Sequence, residues 1–314
     1  MLLSGVTGFG LRALLDRYDR SITKDDLLDP AARRHHANVT GPLNYLLVGS
    51  DRRPSSPDSE QRADTIMIAH IPASLDRTYL ISIPRDLLVT IPQSTVTGYE
   101  GGSDKINAAF QHGGGGQGGT QLLSATLTRL TGLRFDGAAL IDFTGFQRVI
   151  DLVGGIRMCV DAPVRSIHTK RQFNPGCQQM DGAQALDFAR QRYDLPNGDY
   201  DRQRHQQQLL KAILDKISTD NLLTNPVKLD QVLRAIGSSI TMDTNGVAIE
   251  DLIFGLRGMR SDALTGIRVP AYSEMLDGTS FEMLDEGAAD LFQSLGGRHV
   301  DDWVSSNPKW INQI

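Results

Sequence analysis

Aspartate and arginine residues cluster at the ends of apolar segments in two regions that are far apart in the sequence. The first region covers residues 44–86 and the second covers residues 185–208. Carboxylates suit a hard divalent cation, and arginines suit an anion with many oxygens because each guanidinium donates several hydrogen bonds. The combination predicts a site for a metal-bound phosphate or pyrophosphate, so we expect this chain to act on phosphoryl groups.

In the first region, three charged side chains follow or begin predicted strands. Asp51 follows one buried strand, Asp64 begins the next, and Arg85 comes directly after a third. Taken alone, Asp51 is better explained as the cap of a turn, and Arg62 beside Asp64 as half of a surface ion pair. Three such strand ends together favour a shared site at one edge of the sheet.

In the second region, the convergence of the polar side chains depends on where the helices end. Arg190 and Arg192 are two residues apart and would point to different faces of a continuous helix, so they converge only if the helix ends near them. The turn formers in residues 193–198 supply that ending. Beyond them, Arg202 and Gln206 share one face near a helix N-terminus, where unpaired N–H groups also bind anions.

Alternating helices and short apolar strands indicate a layered α/β fold. Runs rich in Ile, Val and Leu, bounded by Gly, Pro or Asp, are typical of buried strands, and apolar residues at helical spacing indicate helices. The pattern predicts a layered α/β/α domain with a central mixed β-sheet and helices on both faces. The predicted strands are 43–48, 65–71, 78–83 and 156–160, and the predicted helices are 105–111, 121–130, 143–152, 183–191 and 201–217.

Composition limits the partners and the compartment. The 314 residues carry a net charge of −5, which argues against nucleic-acid binding because such binding needs a basic face. No uninterrupted apolar run approaches the roughly 20 residues that cross a bilayer, so we expect the chain as written to be soluble. Cys159 and Cys177 match no CxxC pattern, and composition alone leaves buried thiols and a disulfide equally open.

A glycine-rich stretch at residues 113–119 is similar to a phosphate-binding loop in composition only. It lacks the lysine and the hydroxyl residue that the P-loop motif requires, so we expect a mobile loop there. The sequence also contains neither HExxH nor GxSxG. Their absence removes the simplest metalloprotease and esterase assignments.

Eight short motifs occur in a fixed order between residues 44 and 212. They are Gly49-Ser-Asp51, Arg62-Ala-Asp64-Thr, Ser82-Ile-Pro-Arg85-Asp86, Lys105-Ile-Asn107-Ala-Ala, Asp151-Leu-Val-Gly-Gly155-Ile, Asp181-Gly-Ala-Gln-Ala-Leu186, Ala189-Arg190-Gln-Arg192 and Asp201-Arg202-Gln-Arg204. In this order they resemble the LytR-CpsA-Psr family of cell-wall glycopolymer ligases, and their number makes the resemblance specific. The sequence departs from the family at His205, where the family usually has arginine, so we assign His205 no phosphate contact; Arg204 is better explained as a solvated charge at the helix start.

The resemblance implies transfer of a glycan phosphate from a polyprenyl-pyrophosphate carrier to a hydroxyl group of peptidoglycan. It also implies an extracytoplasmic domain anchored by one membrane helix that is absent from this chain. An apolar tunnel for the isoprenoid would be walled by the sheet and by the helices at 121–130 and 143–152, with Val149 and Ile150 among its residues. Because that compartment is oxidising, the resemblance favours a disulfide between Cys159 and Cys177.

Roles for single residues follow from the matched motifs. The resemblance implies that Asp51 and Asp64 hold Mg²⁺ or Mn²⁺ against the pyrophosphate. Asp64 or Asp86 would accept the proton of the attacking hydroxyl, and Arg85 would be essential for the reaction. The groups expected to bind the pyrophosphate oxygens are Arg62, Arg85, Arg190, Arg192, Arg202 and Gln206.

The domain boundaries and the competing functions are also expectations at this point. We expect residues 41–225 to form the catalytic core, residues 226–314 to add helices and strands to the same domain, and residues 1–40 to form a helical lead-in from the membrane. Two alternatives use the same site: a polyprenyl-pyrophosphate phosphatase, with water as acceptor, and a non-catalytic carrier of lipid-linked glycan. The sequence does not indicate which glycopolymer is transferred.

Overall fold

An eight-stranded mixed sheet lies at the centre of the computed structural model, which describes residues 23–34, 41–51, 61–193, 195–219, 240–247, 261–297 and 299–314. The strands are β1 (Thr23–Lys24), β2 (Leu43–Ser50), β3 (Ala63–Ile71), β4 (Thr78–Ser82), β5 (Leu88–Ile91), β6 (Gly102–Lys105), β7 (Gly137–Asp142), β8 (Ile156–Val160), β9 (Val164–Arg165), β10 (Gln172–Phe173), β11 (Gly176–Met180), β12 (Ile240–Asp243), β13 (Leu264–Arg268), β14 (Ala271–Leu276), β15 (Thr279–Leu284) and β16 (Ile311–Asn312). The helices are α1 (Ile106–His112), α2 (Gly116–Thr131), α3 (Phe143–Leu152), α4 (Gly182–Ala189), α5 (Asp199–Thr219), α6 (Gly287–Gly296) and α7 (Val300–Ser306).

The central sheet has the strand order β1-β12-β7-β2-β3-β4-β13-β16. Strand β2 pairs parallel with β7 and antiparallel with β3, and β4 pairs antiparallel with β3 and parallel with β13. The sheet is therefore mixed, as the sequence predicts. The polar ends of β2, β3 and β4, on which the predicted site depends, belong to neighbouring strands.

One face of the sheet is filled by a large apolar core. Side chains at alternate positions, such as Leu46 of β2 and Ile68 of β3, point to this face and are fully buried. They pack with Phe110 of α1, Leu123 of α2 and Leu291 of α6 in a single cluster. Close packing of this kind leaves little free volume, so the face contributes stability rather than a binding site.

The opposite face carries α3, α4 and α5. The intervening residues Leu47 and Met67 point here, and Leu210 of α5 packs against them. A second core lies between α3, α4, α5 and β8, with Ile150 and Phe188 fully buried in it. The sheet therefore has helices on both faces, which confirms the layered prediction.

The glycine-rich stretch is partly helical, so the predicted loop at 113–119 is wrong over its second half. Helix α2 begins at Gly116, five residues before the predicted start at Gln121. A Cβ atom on Gly119 would lie 2.5 Å from the carbonyl oxygen of Phe110, and one on Gly113 would lie 2.4 Å from that of Gly118. Glycine is therefore needed here to let α1 and α2 approach each other.

Strands from the C-terminal third extend the same sheet. Strand β13 pairs with β4 over five residues, and β12 lies between β1 and β7. The hairpin of β14 and β15 stands outside the central sheet and contacts the loop after β4. Residues 1–22, most of the predicted helical lead-in, lie outside the described residues, and no helix within the described ranges is long and apolar enough to span a bilayer.

Cys159 and Cys177 are bonded to each other in the structure. They face each other in register in the antiparallel pair of β8 and β11, and their Cα atoms are 3.9 Å apart. The bond closes the base of a segment, residues 160–176, that includes β9 and β10. The disulfide that the resemblance implies is thus present.

Candidate active site

Arg85 lies at the centre of a group of carboxylates at one edge of the sheet. Its Nη1 atom is 2.6 Å from Oδ1 of Asp64, and its Nε atom is 3.5 Å from Asp86 and 4.0 Å from Asp199. Burial lowers the pKa of Arg85, but the three carboxylates more than offset this and raise it overall. The guanidinium therefore stays charged and is held in a fixed orientation, as predicted for a strand-end anion ligand.

A β-bulge directs Asp64 into this site. The register of β2 and β3 pairs Gly49 with Thr65 but Ser50 with Ala63, so Asp64 is an extra residue on β3. Neighbouring residues of a regular strand point to opposite faces, yet Asp64 and Thr65 both line the same cavity. Bulges commonly turn side chains in this way beside functional sites.

Arg202 is the most buried of the predicted arginines, with 5% of its side chain exposed. It lies in the first turn of α5, and burial lowers its pKa, while the charge of Asp199 opposes that shift. Asp199 Oδ1 is 2.8 Å from Nη2 of Arg202 but out of line with its N–H, so the pair is a close ion contact and not a hydrogen bond. Within the described residues the Nε atoms of Arg85 and Arg202 are buried and have no hydrogen-bond partner, so each guanidinium has unused donor capacity.

Arg190 and Arg192 follow the end of α4. The helix ends at Ala189, so the predicted termination near these arginines is confirmed. The guanidinium of Arg190 lies 4.2 Å from the ring centre of Phe143, and that of Arg192 lies 4.9 Å from the ring of Tyr193, whose hydroxyl it also contacts. Aromatic faces hold guanidinium groups in place without neutralising them.

A cavity of about 520 Å³ separates the sheet from α3, α4 and α5, and four of the five predicted arginines converge on it. Apolar side chains from the sheet and from these helices form most of its wall. The apolar lining includes Leu47, Met67, Ile141, Phe146, Val149, Leu186, Leu209, Leu210 and Ile213, and the polar lining includes Asp64, Arg85, Arg190, Arg192, Arg202 and Gln206. A long hydrocarbon with a charged head would find both environments in one cavity.

The predicted tunnel walls are half right. Helix α3 (Phe143–Leu152) lines the cavity through Val149, as expected. Ile150, one residue along, is fully buried in the second core and does not line it. The helix predicted at 121–130 packs on the opposite face of the sheet, because its apolar stripe, which includes Leu123 and Leu127, belongs to the large core.

Three predicted site residues do not line the cavity. Asp51 accepts a hydrogen bond from the backbone N–H of Arg62 at 2.7 Å, and the Arg62 side chain is exposed. Asp86 is paired with Nζ of Lys105 at 3.0 Å. Asp51 and Asp64 nevertheless lie on adjacent strands, since the Asp51 N–H bonds to the carbonyl of Arg62, two residues before Asp64.

A resident metal held by protein groups alone does not fit the described residues, which contain no cluster of three or more His, Cys, Asp or Glu side chains arranged for one. Mg²⁺, however, is commonly held by one or two carboxylates together with substrate phosphates and water. Asp64 lines the cavity, whereas the Asp51 carboxylate lies outside it at the end of the neighbouring strand.

His205 and Arg204 take structural positions. His205 is buried and stacks on Phe188 with ring centres 4.3 Å apart, and burial, then the charge of Arg204, lowers its pKa to about 4. A neutral histidine in the core cannot bind phosphate through charge, which agrees with leaving it out of the site. Arg204 pairs with Asp161 and lies 3.5 Å from Asp201, so it is a partly buried ion pair and not a freely solvated charge.

Sequence reasoning gave no role to several residues that the structure places beside Arg85. Lys105 begins one of the eight motifs and Asp199 lies two residues before another, so their charge and position could have indicated a role in the site. The contact of the β14–β15 hairpin with the loop that carries Asp86 could not be predicted from any local sequence pattern. The Glu282 backbone N–H donates to the carbonyl of Asp86 at 2.9 Å, and its carboxylate accepts from the hydroxyl of Tyr200.

Comparison with known proteins was consistent across sequence and structure. A model of the LytR_cpsA_psr family matches residues 15–295. The chain is 34% identical over 249 residues to the probable cell wall biosynthesis protein LcpB of Corynebacterium glutamicum, covering 75% of this chain and 56% of LcpB. It is 26% identical to the polyisoprenyl-teichoic acid–peptidoglycan teichoic acid transferase TagU of Enterococcus faecalis, covering 91% of this chain and 89% of TagU.

The fold is also found among solved structures. The LytR-Csp2A-Psr enzyme from Actinomyces oris superimposes with a TM-score of 0.64 at 22% identity, covering 93% of this chain and 98% of that one. At this identity the likeness concerns the fold. The matched region spans little more than half the length of LcpB.

Proposed function

This chain belongs to the LytR_cpsA_psr family, and on that basis we propose that it transfers a glycan phosphate from a polyprenyl-pyrophosphate carrier to a hydroxyl group of peptidoglycan. One observation carries the proposal: a single cavity has an apolar wall and a polar end where four arginines meet. The name of the E. faecalis relative, which includes a polyisoprenyl carrier, teichoic acid and peptidoglycan, supports the same substrate classes.

Donor binding uses the two parts of the cavity differently. The hydrocarbon of the carrier is sheltered against side chains such as Val149 and Leu210, and burial contributes about 0.8 kcal/mol per CH₂ group. The pyrophosphate then lies at the arginine end, where the guanidinium groups of Arg85 and Arg202 line the cavity. Arg190, Arg192 and Gln206 complete the set that lines the cavity, and Arg62 binds from the exposed rim.

The reaction is one displacement at phosphorus. The acceptor hydroxyl oxygen attacks the phosphorus next to the glycan, a new phosphodiester bond forms, and the bond to the bridging oxygen breaks. Polyprenyl phosphate leaves with that oxygen and its electron pair, and the hydroxyl proton passes to Asp64 or Asp86. The arginines stabilise the negative charge that grows on the leaving phosphate, which is the main catalytic contribution where a protein does little covalent work.

The two carboxylates differ in their surroundings. Asp64 lines the cavity and is held by Arg85, whereas Asp86 is held by Lys105 beside it. Both are partly exposed and can exchange protons with water. Asp51 and Asp64 are the residues we assign to Mg²⁺ or Mn²⁺, a cation that would neutralise pyrophosphate oxygens and strengthen donor binding.

We place the domain on the outer face of the cell membrane, with a single-pass membrane anchor. That location follows from a cell-wall acceptor and agrees with the bond between Cys159 and Cys177, since disulfides persist in oxidising compartments.

Product analysis tests the proposal against its two alternatives. Purified chain is incubated with a glycan-labelled polyprenyl-pyrophosphate donor, Mg²⁺ and peptidoglycan. Transfer predicts label bound covalently to peptidoglycan together with polyprenyl phosphate. A phosphatase would release soluble glycan phosphate and leave the peptidoglycan unlabelled, and a carrier would bind the donor and return it unchanged. Either of these last two outcomes would contradict the transferase assignment.

A further inference from the structure

A short basic loop lies beside the cavity and has no part in the reaction described above. It consists of Arg165, the last residue of β9, and residues 166–171, which join β9 to β10, and we call it the 165–171 loop. It contains Arg165, Lys170 and Arg171 and no acidic residue, although the whole chain has a net charge of −5. All three basic residues are exposed.

The charges of this loop are directed to solvent. Lys170 Nζ contacts only the carbonyl oxygen of Ile167, at 3.0 Å. Across the ranges that the structure describes, no carboxylate lies within ion-pair distance of Arg165, Lys170 or Arg171. Arg85, Lys105 and Arg202 at the active site are each paired with aspartate, so the three basic residues of this loop differ from them in having no carboxylate partner in the described part of the chain.

The loop is hydrogen-bonded to α4 and to the residues just after it, which include Arg190 and Arg192. Ser166 Oγ donates to Oδ1 of Asp187 at 2.6 Å, and the backbone N–H of Ile167 donates to Oε1 of Gln191 at 3.2 Å. Asp187 lies in α4, and Gln191 lies directly between Arg190 and Arg192. The disulfide closes the base of the same segment. The position of the loop relative to the cavity is therefore set by several independent bonds.

Apolar side chains join the loop to the cavity opening. Ile167, at the middle of the loop, is 38% exposed, and Tyr193 is 51% exposed, yet both line the cavity. Exposed residues in a cavity wall mark its opening. A basic rim with an isoleucine and a tyrosine at its centre has the composition of surfaces that rest on membrane interfaces.

We propose that the 165–171 loop, together with Tyr193, is a membrane-docking surface that seats the cavity opening on an anionic lipid bilayer. The basic side chains contact lipid phosphates while Ile167 and Tyr193 enter the headgroup region. A polyprenyl chain can then pass from bilayer to cavity without crossing water. This inference rests on one part of the proposed function, namely that the cavity binds the lipid chain.

The test is vesicle co-sedimentation of the full chain with no glycan donor present. Vesicles of equal parts phosphatidylglycerol and phosphatidylcholine are compared with vesicles of phosphatidylcholine alone. The wild type should bind the anionic vesicles, and added salt should weaken that binding, because surface charges are screened within about 10 Å at 0.1 M salt. The double variant R165Q/R171Q should bind them roughly 30-fold more weakly, at about 1 kcal/mol for each basic residue.

Matched controls separate a local surface from a general charge effect. R129Q/R134Q also removes two positive charges, from exposed positions near the end of α2 and just beyond it. Helix α2 packs on the far face of the sheet, so this variant should bind vesicles as the wild type does. Ile167→Ser should weaken vesicle binding. Val96→Ser should not, because Val96 is 74% exposed but lies away from the active-site cavity.

Three results would overturn the proposal. The first is an equal loss of vesicle binding in the loop variant and the control variant. The second is equal binding of the wild type to both kinds of vesicle. The third is a soluble polyanion that binds the loop more tightly than lipid does and abolishes vesicle binding by the wild type. The last result would assign the loop to an anionic glycan. Because no donor is used, each result is independent of whether the chain transfers glycan.

Discussion

The two faces of the central sheet are built from the same kinds of side chain and serve different purposes. Leu46 and Leu47 are neighbours on β2, yet Leu46 lies in a filled core while Leu47 lines a cavity of about 520 Å³. What differs is the helix layer: α1, α2 and α6 pack directly on one face, whereas α3, α4 and α5 stand off the other and direct arginines to its edge. The site depends on incomplete packing, and the fold depends on complete packing elsewhere.

The largest effect is expected at the edge of the open face. Replacing Arg85 by alanine should lower transfer by on the order of 10²-fold or more, because one preorganised donor to the developing charge is lost. Lysine at this position should restore only part of the rate, since it keeps the charge but not the planar pair of donors. The rate is measured as label transferred to peptidoglycan, at equal melting temperature.

The control for Arg85→Ala is Arg129→Ala. Arg129 is exposed on α2, on the filled side of the sheet, and its loss should leave the rate unchanged. Wild-type turnover in Arg85→Ala, with the fold intact, would remove Arg85 from the mechanism.

Stability, unlike the transfer rate, should be more sensitive to substitutions on the filled face than on the open face. Leu123→Ala, in the filled core, should lower the free energy of unfolding by about 2–5 kcal/mol, because it leaves a void among fully buried neighbours. Leu210→Ala should cost roughly 1–2 kcal/mol, since part of that side chain already faces the cavity. Chemical denaturation measures both. A loss at Leu210 as large as that at Leu123 would show that the cavity is closed and packed in solution.

The free energy of unfolding should depend on pH through one buried histidine on each side of the sheet. His70 and His205 are each buried, and burial lowers the pKa of each from 6.5 to about 4. As the pH falls below 6.5, the unfolded chain binds protons that the folded chain refuses, so stability falls progressively down to about pH 4. Each histidine contributes up to roughly 3 kcal/mol to this loss.

His205→Phe tests the assignment of that pH dependence. Phenylalanine keeps the stacking contact with Phe188 but cannot be protonated, so the fall in unfolding free energy between pH 6.5 and 4 should shrink by about half. An unchanged pH profile would show that His205 is not neutral and buried in solution.

The disulfide is expected to make a contribution of similar size. The bond between Cys159 and Cys177 closes a loop with a sequence separation of 18, which corresponds to about 3 kcal/mol in the chain-entropy model. Mass spectrometry of unreduced protein should find no alkylatable thiol. Two modified cysteines in protein purified under oxidising conditions would refute the bond.

Much of this arrangement could be predicted from the sequence, because it depends on local patterns. Asp64 begins an apolar run and Arg85 follows one, and the turn formers after Arg192 end a helix. The assignment of faces could not be predicted. Helix α2 and helix α3 both have apolar stripes, and only the tertiary pairing decides that Leu123 enters a core while Val149 lines a cavity. The contact between Glu282 and Asp86 was also out of reach, since it joins segments almost two hundred residues apart.

The central claim is that the open face binds a lipid chain and presents its pyrophosphate to the arginines. The most direct measurement is the affinity of the wild type, Val149→Phe and the surface control Val96→Phe for polyprenyl phosphates of long and short chain. If the cavity holds the chain, Val149→Phe should weaken the long-chain ligand by about 10-fold or more through exclusion of a few methylene groups, and the short-chain ligand much less. Val96→Phe should change neither. Equal losses for long and short chains, or no lipid binding by the wild type, would contradict the account.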